Sequence, residues 1–155
     1  MRILPYSIGP KIFSGTVLSF TEITEVKAAE AARRAMERMF EAVADSVPVL
    51  VWMSGLDKKC FWFNKAWLDY TGRSMQEELG DGWISGVHPE DLDRCVATYV
   101  QAFEKREPFS MRYRLRRADG SYGLLEDSGA PRFDENSVFL GYVGSCAIIG
   151  GGDGR

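Results

Sequence analysis

The sequence predicts an α+β fold: one five-stranded antiparallel sheet, covered on one face by short helices and one longer helix, and entered through an N-terminal amphipathic helix. Three observations predict it. Residues 109–116 alternate strictly between apolar and polar, the period of a strand with one buried face. Residues 25–45 are dominated by Ala, Glu, Arg, Lys and Met and contain no Gly or Pro, so they read as helix. Turn chemistry at Asp119-Gly120 and at Asp134 to Asn136 separates consecutive strand-like runs, which makes neighbouring strands antiparallel.

Taken in order, residues 1–14 show little pattern beyond Pro5, Gly9 and Pro10. Residues 15–21 alternate well enough for a strand. Thr24 is placed to cap the helix 25–45. In the second half of that helix Met36, Met39, Phe40 and Val43 fall at i, i+3, i+4 and i+7, one apolar stripe. Pro48 ends the region. Residues 49–53 form an apolar, β-branched and aromatic run, residues 55–59 a turn around Asp57, and residues 60–63 a second strand, together a hairpin. Asn64 caps a short helix over 65–70 that Gly72 stops, and Ser74 with Glu77 has capping-box spacing.

Gly80, Gly82 and Gly86 make the region of Trp83 a loop. Pro89 then opens the long helix at its first position, where its missing N–H has no intrahelical partner, and Glu90 and Asp91 complement the helix dipole. Residues 92–104 carry the stripe Leu92, Val96, Tyr99, Val100 and Phe103. The strand 109–116 turns Phe109, Met111, Tyr113 and Leu115 inward. Arg112, Arg114 and Arg116 face outward, to be paired with Glu126 or Asp127 across the hairpin. Residues 121–130 return, residues 138–149 make a long final strand, and 150–155 are a glycine-rich flexible tail.

These residues resemble a PAS sensory domain, of the branch with His-Pro-Glu-Asp before the long helix. The match runs in order through Phe61 to Asn64, Ala66, Trp67 and Tyr70-Thr71-Gly72, then His88-Pro89-Glu90-Asp91. Tyr113 to Arg117, Asp119-Gly120-Ser121-Tyr122 and Gly141-Tyr142-Val143-Gly144 complete it. The resemblance implies a domain over 46–149, preceded by a linker helix over 25–45. Residues 1–24 are similar to the end of an upstream PAS repeat, with Glu22-Ile23-Thr24 in place of its Asp-Ile-Thr tripeptide. Two departures stand out. Gly123 occupies a position where the family commonly has Trp on the sheet surface, and the last strand ends Ala147-Ile148-Ile149-Gly150 without an Asp-Ile-Thr signature.

Function classes narrow accordingly. A net charge of −3 opposes an electrostatically driven nucleic-acid binder, and no apolar run reaches the roughly eighteen residues of a membrane span. Three scattered cysteines, Cys60, Cys95 and Cys146, support neither a disulfide framework nor a zinc site, and point to reduced cytoplasmic thiols. His88 is the lone histidine; capping explains it better than catalysis. By resemblance, haem-binding relatives carry their histidine inside the long helix, and the light-sensing branch needs a reactive Cys motif absent here; a non-covalent flavin stays open, and the cofactor is unknown.

The resemblance therefore implies a non-catalytic regulatory module of a bacterial sensor histidine kinase or cyclic-nucleotide signalling protein, whose output domain lies elsewhere. The simple reading of each aromatic is core. As a ligand pocket between sheet and short helices, the candidates are Trp52, Phe63, Trp67, Trp83 and Tyr113. Met36, Met39, Phe40 and Val43 are the candidates for homodimer contact and relay. A ligand-free dimerisation module is the alternative.

Overall fold

The computed structural model describes the backbone of residues 20–150 and the side chains of residues 24–150. The chain divides into two units, residues 1–39 and 40–155. Helix α1 (Phe20–Ser46) begins in the first and ends in the second. Thr24, expected to cap this helix, lies inside it, and Phe20 and Thr21, expected to end a strand, form its first turn. No Gly or Pro interrupts the run from Phe20 onward. Once nucleated, a helix gains one hydrogen bond per residue added, so it extends past the expected cap. Residues 15–19 of the expected strand lie outside the described residues.

The second unit holds β1 (Leu50–Ser54), β2 (Cys60–Phe63), α2 (Lys65–Thr71), α3 (Met75–Glu78), a 3-10 turn (Gly82–Gly86) and α4 (Pro89–Lys105). Strands β3 (Phe109–Arg116), β4 (Tyr122–Phe133) and β5 (Phe139–Gly150) follow. They form one five-stranded sheet of order β2-β1-β5-β4-β3 with every pairing antiparallel. The final strand is therefore central, inserted between the β1–β2 hairpin and β4. Its inner residues, Tyr142 and Cys146, are fully buried.

The short helices begin where the sequence places them. Asn64 accepts from the Trp67 N–H, Gly72 ends α2 in the left-handed conformation, and Ser74 and Glu77 cap each other reciprocally. His88 caps α4, its Nδ1 accepting from the Glu90 N–H at 3.2 Å, with Pro89 at the first helical position. The buried face of α4 is rotated from the expected stripe: Cys95, Tyr99, Ala102 and Phe103 are deepest, while Val96 and Val100 are half-buried. The Tyr142 hydroxyl lies 2.7 Å from the carbonyls of both Ala102 and Glu107, tying the end of α4 to β5.

The arginine row corrects one expectation. Arg112 does pair with Glu126, its register partner, at 2.9 Å. Arg114 instead reaches α4: its Nε donates to Asp91 Oδ2 at 2.8 Å and its Nη2 to Glu90 Oε2 at 2.9 Å. Asp91 Oδ2 also accepts from the Arg114 backbone N–H at 2.9 Å. These bonds hold the Asp91 carboxyl well below the usual carboxylate range. Asp127 pairs with no arginine among the described residues. It stands opposite Met111 in the β3–β4 register, so strand alternation turns it to the inner face.

Gly123 is a second correction. It is buried on the inner face rather than the sheet surface, and a Cβ there would sit 2.1 Å from the Tyr70 hydroxyl. Tyr70 on α2 occupies the space a larger residue would need.

A candidate ligand cavity

The inner face of the sheet, with α2, the 3-10 turn and α4, encloses a small aromatic cavity. All five residues singled out from the sequence, Trp52, Phe63, Trp67, Trp83 and Tyr113, line it. Tyr99, Phe109, Met111, Cys60 and Asp127 complete the wall. The free room is about 10 Å³, on the order of one water molecule.

The floor depends on glycines. Gly144 and Gly129 face each other across β5 and β4. A Cβ at Gly144 would lie 2.2 Å from the Trp52 ring, and one at Gly129 2.3 Å from the Phe109 ring. Bare backbone at this pair lets the two rings stack, 6.2 Å apart at 23°. Tyr99 meets Trp52 edge-on at 5.7 Å and donates to Ser54 Oγ at 2.7 Å.

Asp127 is the polar centre. It is 2 % exposed, and its Oδ1 accepts from the Trp52 indole N–H at 3.0 Å. The Tyr113 hydroxyl donates to Oδ2 at 3.4 Å and lies 3.7 Å from Cys146 Sγ. Burial raises the Asp127 carboxyl to about 6, against the hydrogen bonds from Trp52, Cys146 and Tyr113, which lower it. Burial also pushes the Cys95 thiol up to about 11 and holds the Cys60 and Cys146 thiols protonated. They are poor nucleophiles there. The Trp67 indole N–H, also buried in the wall, has no hydrogen-bond partner among the described residues.

Asn64, read from sequence as a helix cap, does more. Its Oδ1 accepts from the N–H groups of Val51 (2.9 Å) and Trp67 (3.1 Å). Its Nδ2 donates to the carbonyls of Ala44 (2.8 Å) and Val49 (2.9 Å). The next residue, Lys65, donates its N–H to Asp45 Oδ1 at 2.7 Å. The junction between β2 and α2 thus joins the cavity wall at Phe63 and Trp67 to the last turn of α1.

The stripe on α1 is exposed: Met36 by 70 % and Met39 by 64 %, with Phe40 and Val43 also open. Phe40 lies 5.2 Å from the Trp62 ring on β2. No described helix is long and apolar enough to cross a membrane. Among the described residues no three His, Cys, Asp or Glu side chains group as a metal site.

The family model for the PAS fold matches residues 61–146, more than half of the chain. The chain belongs to the PAS family. The chain is 39% identical over 113 residues to an uncharacterized protein, y4lL, of Sinorhizobium fredii, covering 73% of this chain and 14% of that one. It is 28% identical over 156 residues to the peroxide stress-activated histidine kinase mak1 of Schizosaccharomyces pombe, covering 88% of this chain and 10% of that one. The chain therefore spans a small part of these relatives. Among solved structures it resembles the PAS domain of a protein from Colwellia psychrerythraea. There the TM-score is 0.61 at 20% identity, over 74% of this chain and 97% of that one. PAS domains are sensory and regulatory modules of signal-transduction proteins, without catalytic activity of their own.

Proposed function

We propose that this PAS domain is the input module of a bacterial multidomain signalling protein, of the sensor histidine kinase or cyclic-nucleotide type, working in the cytoplasm as a homodimer. A small molecule enters the cavity lined by Trp52, Phe63, Trp67, Trp83 and Tyr113 and shifts the packing of α2. Asn64 passes that shift to α1 through its bonds to Trp67 and Ala44. The exposed stripe Met36, Met39, Phe40 and Val43 meets the same stripe of a second copy, so a change in α1 alters the dimer and any output domain joined to it. A ligand does this only through unequal affinity for the two arrangements. The observation that carries the reading is the four-bonded Asn64, placed between the cavity wall and the end of α1.

One observation favours a second reading, a ligand-free dimerisation module: the cavity's free room of about 10 Å³ is nearly filled by its own side chains. Native mass spectrometry and absorbance on freshly purified protein separate the two. A retained small molecule supports sensing, whereas an apo mass under every condition favours the scaffold. Charged substitutions Met39→Glu and Phe40→Glu lower the dimer mass in sedimentation if α1 is the interface; an unchanged dimer moves the interface elsewhere.

A further inference from the structure

A buried carboxylate normally has a cation beside it, because an unpaired charge in a dry interior is costly. Buried Glu78 obeys the rule, with Arg73 at 3.5 Å, and even the half-buried Asp91 has Arg114 at 2.8 Å. Asp127 has no ion pair among the described residues; its partners are the neutral donors Trp52, Tyr113 and Cys146. Around the same cavity stand the rings of Trp52, Trp67, Trp83, Tyr99, Phe109 and Tyr113. Aromatic faces are negative at their centres and attract cations, most strongly where water is excluded.

We infer that the cavity takes a small organic ammonium ligand, with Asp127 as its counter-ion and the indole and phenol rings as its walls. This rests on reading the cavity as a ligand site and adds the chemical class. An ammonium head group is about the size of a water molecule, which is the free room present. Met111, unbranched and flexible, lines the cavity and yields space for a short tail. The Trp67 N–H, without a partner among the described residues, calls for an acceptor on the same ligand, such as a hydroxyl.

The surroundings leave Asp127 as the group that changes charge near neutral pH. Cys60 on β2, Cys95 and Tyr99 on α4, Tyr113 on β3 and Cys146 on β5 all have raised values and stay neutral there. Glu78 on α3 faces Arg73. Trp67 on α2 and Trp83 on the 3-10 turn bring no charge. Ammonium binding is thus strong above the Asp127 value of about 6 and falls away below it.

Ethanolamine and ethylene glycol have nearly the same shape and differ by the charged group, so they serve as probes. Each is titrated into the labelled protein in amine-free buffer, following the backbone and the indole N–H resonances of Trp52 and Trp67 by NMR. Ethanolamine is expected to bind at least about tenfold more tightly than the glycol. Asp127→Asn is expected to bring it to the glycol's level, with the glycol changed by less than about twofold. Equal affinities, or an ethanolamine affinity indifferent both to Asp127→Asn and to pH between 5 and 8, overturn the inference. The pH series uses the unaltered protein, so it decides the matter even where the variant fails to fold. If neither probe moves the indole resonances while a different retained molecule does, the cavity is a ligand site of another class. If nothing enters it at all, the sensory reading fails as well.

Discussion

Replacing Asp127 by Asn should stabilise the domain at neutral pH, although it removes a hydrogen-bonded side chain from the core. The folded carboxyl sits at about 6 against an ordinary value of 3.8. The folded state therefore holds its proton more tightly than the unfolded chain does. Stability linked to this group is full below 3.8, falls as pH rises through the interval, and is lost above about 6. Two units at 1.36 kcal/mol each give about 3 kcal/mol. The amide keeps an oxygen for the Trp52 N–H and turns its NH2 toward Tyr113, whose hydroxyl then accepts. Between pH 4 and pH 7.5 the variant should thus gain about 3 kcal/mol relative to the native chain. With a urea m-value of about 1–3 kcal/mol/M, the midpoints separate by about 1–3 M. Urea unfolding at a series of pH values, in amine-free buffers so that the cavity stays empty of probe cations, measures it. Two curves that stay parallel across pH would refute the reasoning, since Asp127 would then titrate alike in both states.

Four further outcomes follow from the same contacts. Asp91→Asn should cost about 1–3 kcal/mol at pH 7, by weakening its charge-assisted bonds to Arg114. Because the folded carboxyl is lowered, that loss shrinks as pH falls below 3.8, which acid unfolding of both forms checks. Asn64→Ala strands four polar groups and should cost on the order of 3–5 kcal/mol, read from urea midpoints; a loss near that of an ordinary cap would remove Asn64 from the relay. Gly144→Val should drive the Trp52 ring off the sheet and cost about 1–3 kcal/mol, visible as loss of the Trp52 indole N–H resonance from its bonded position. Gly123→Trp should destabilise the chain because Tyr70 fills the site, and Tyr70→Gly in the same chain should recover part of the loss by equilibrium unfolding.

Much of this was legible in the sequence because it depends on local chemistry. Strand alternation in 109–116, the capping residues Asn64, Ser74 and His88, and Pro89 at the helix start act within a few residues, so composition and spacing reveal them. The five aromatic candidates converge because each is large, apolar and on the inward side of its element. Glu126 and Asp127 both read from the sequence as surface partners for the arginines, and the structure keeps only Glu126 in that role. A carboxylate beside Glu126 looks like a solvent group, and one step of strand register decides which of the two faces inward. Tyr99, Phe109 and Met111 looked like core, and nothing nearby in sequence distinguishes core from cavity wall. The glycine pair Gly129 and Gly144 was missed because its purpose lies across strands, in the rings of Phe109 and Trp52.

The sequence by itself determined the α+β class, the order of elements and the inward-facing aromatic set, since hydrophobic period and backbone caps are local properties of the chain. Only the tertiary structure decided that the last strand lies at the centre of the sheet, that Asn64 ties α2 to the end of α1, and that a carboxylate with no cation beside it among the described residues stands among the rings. Those depend on residues far apart in sequence meeting in space, and no local pattern reports which distant partner a buried polar group finds.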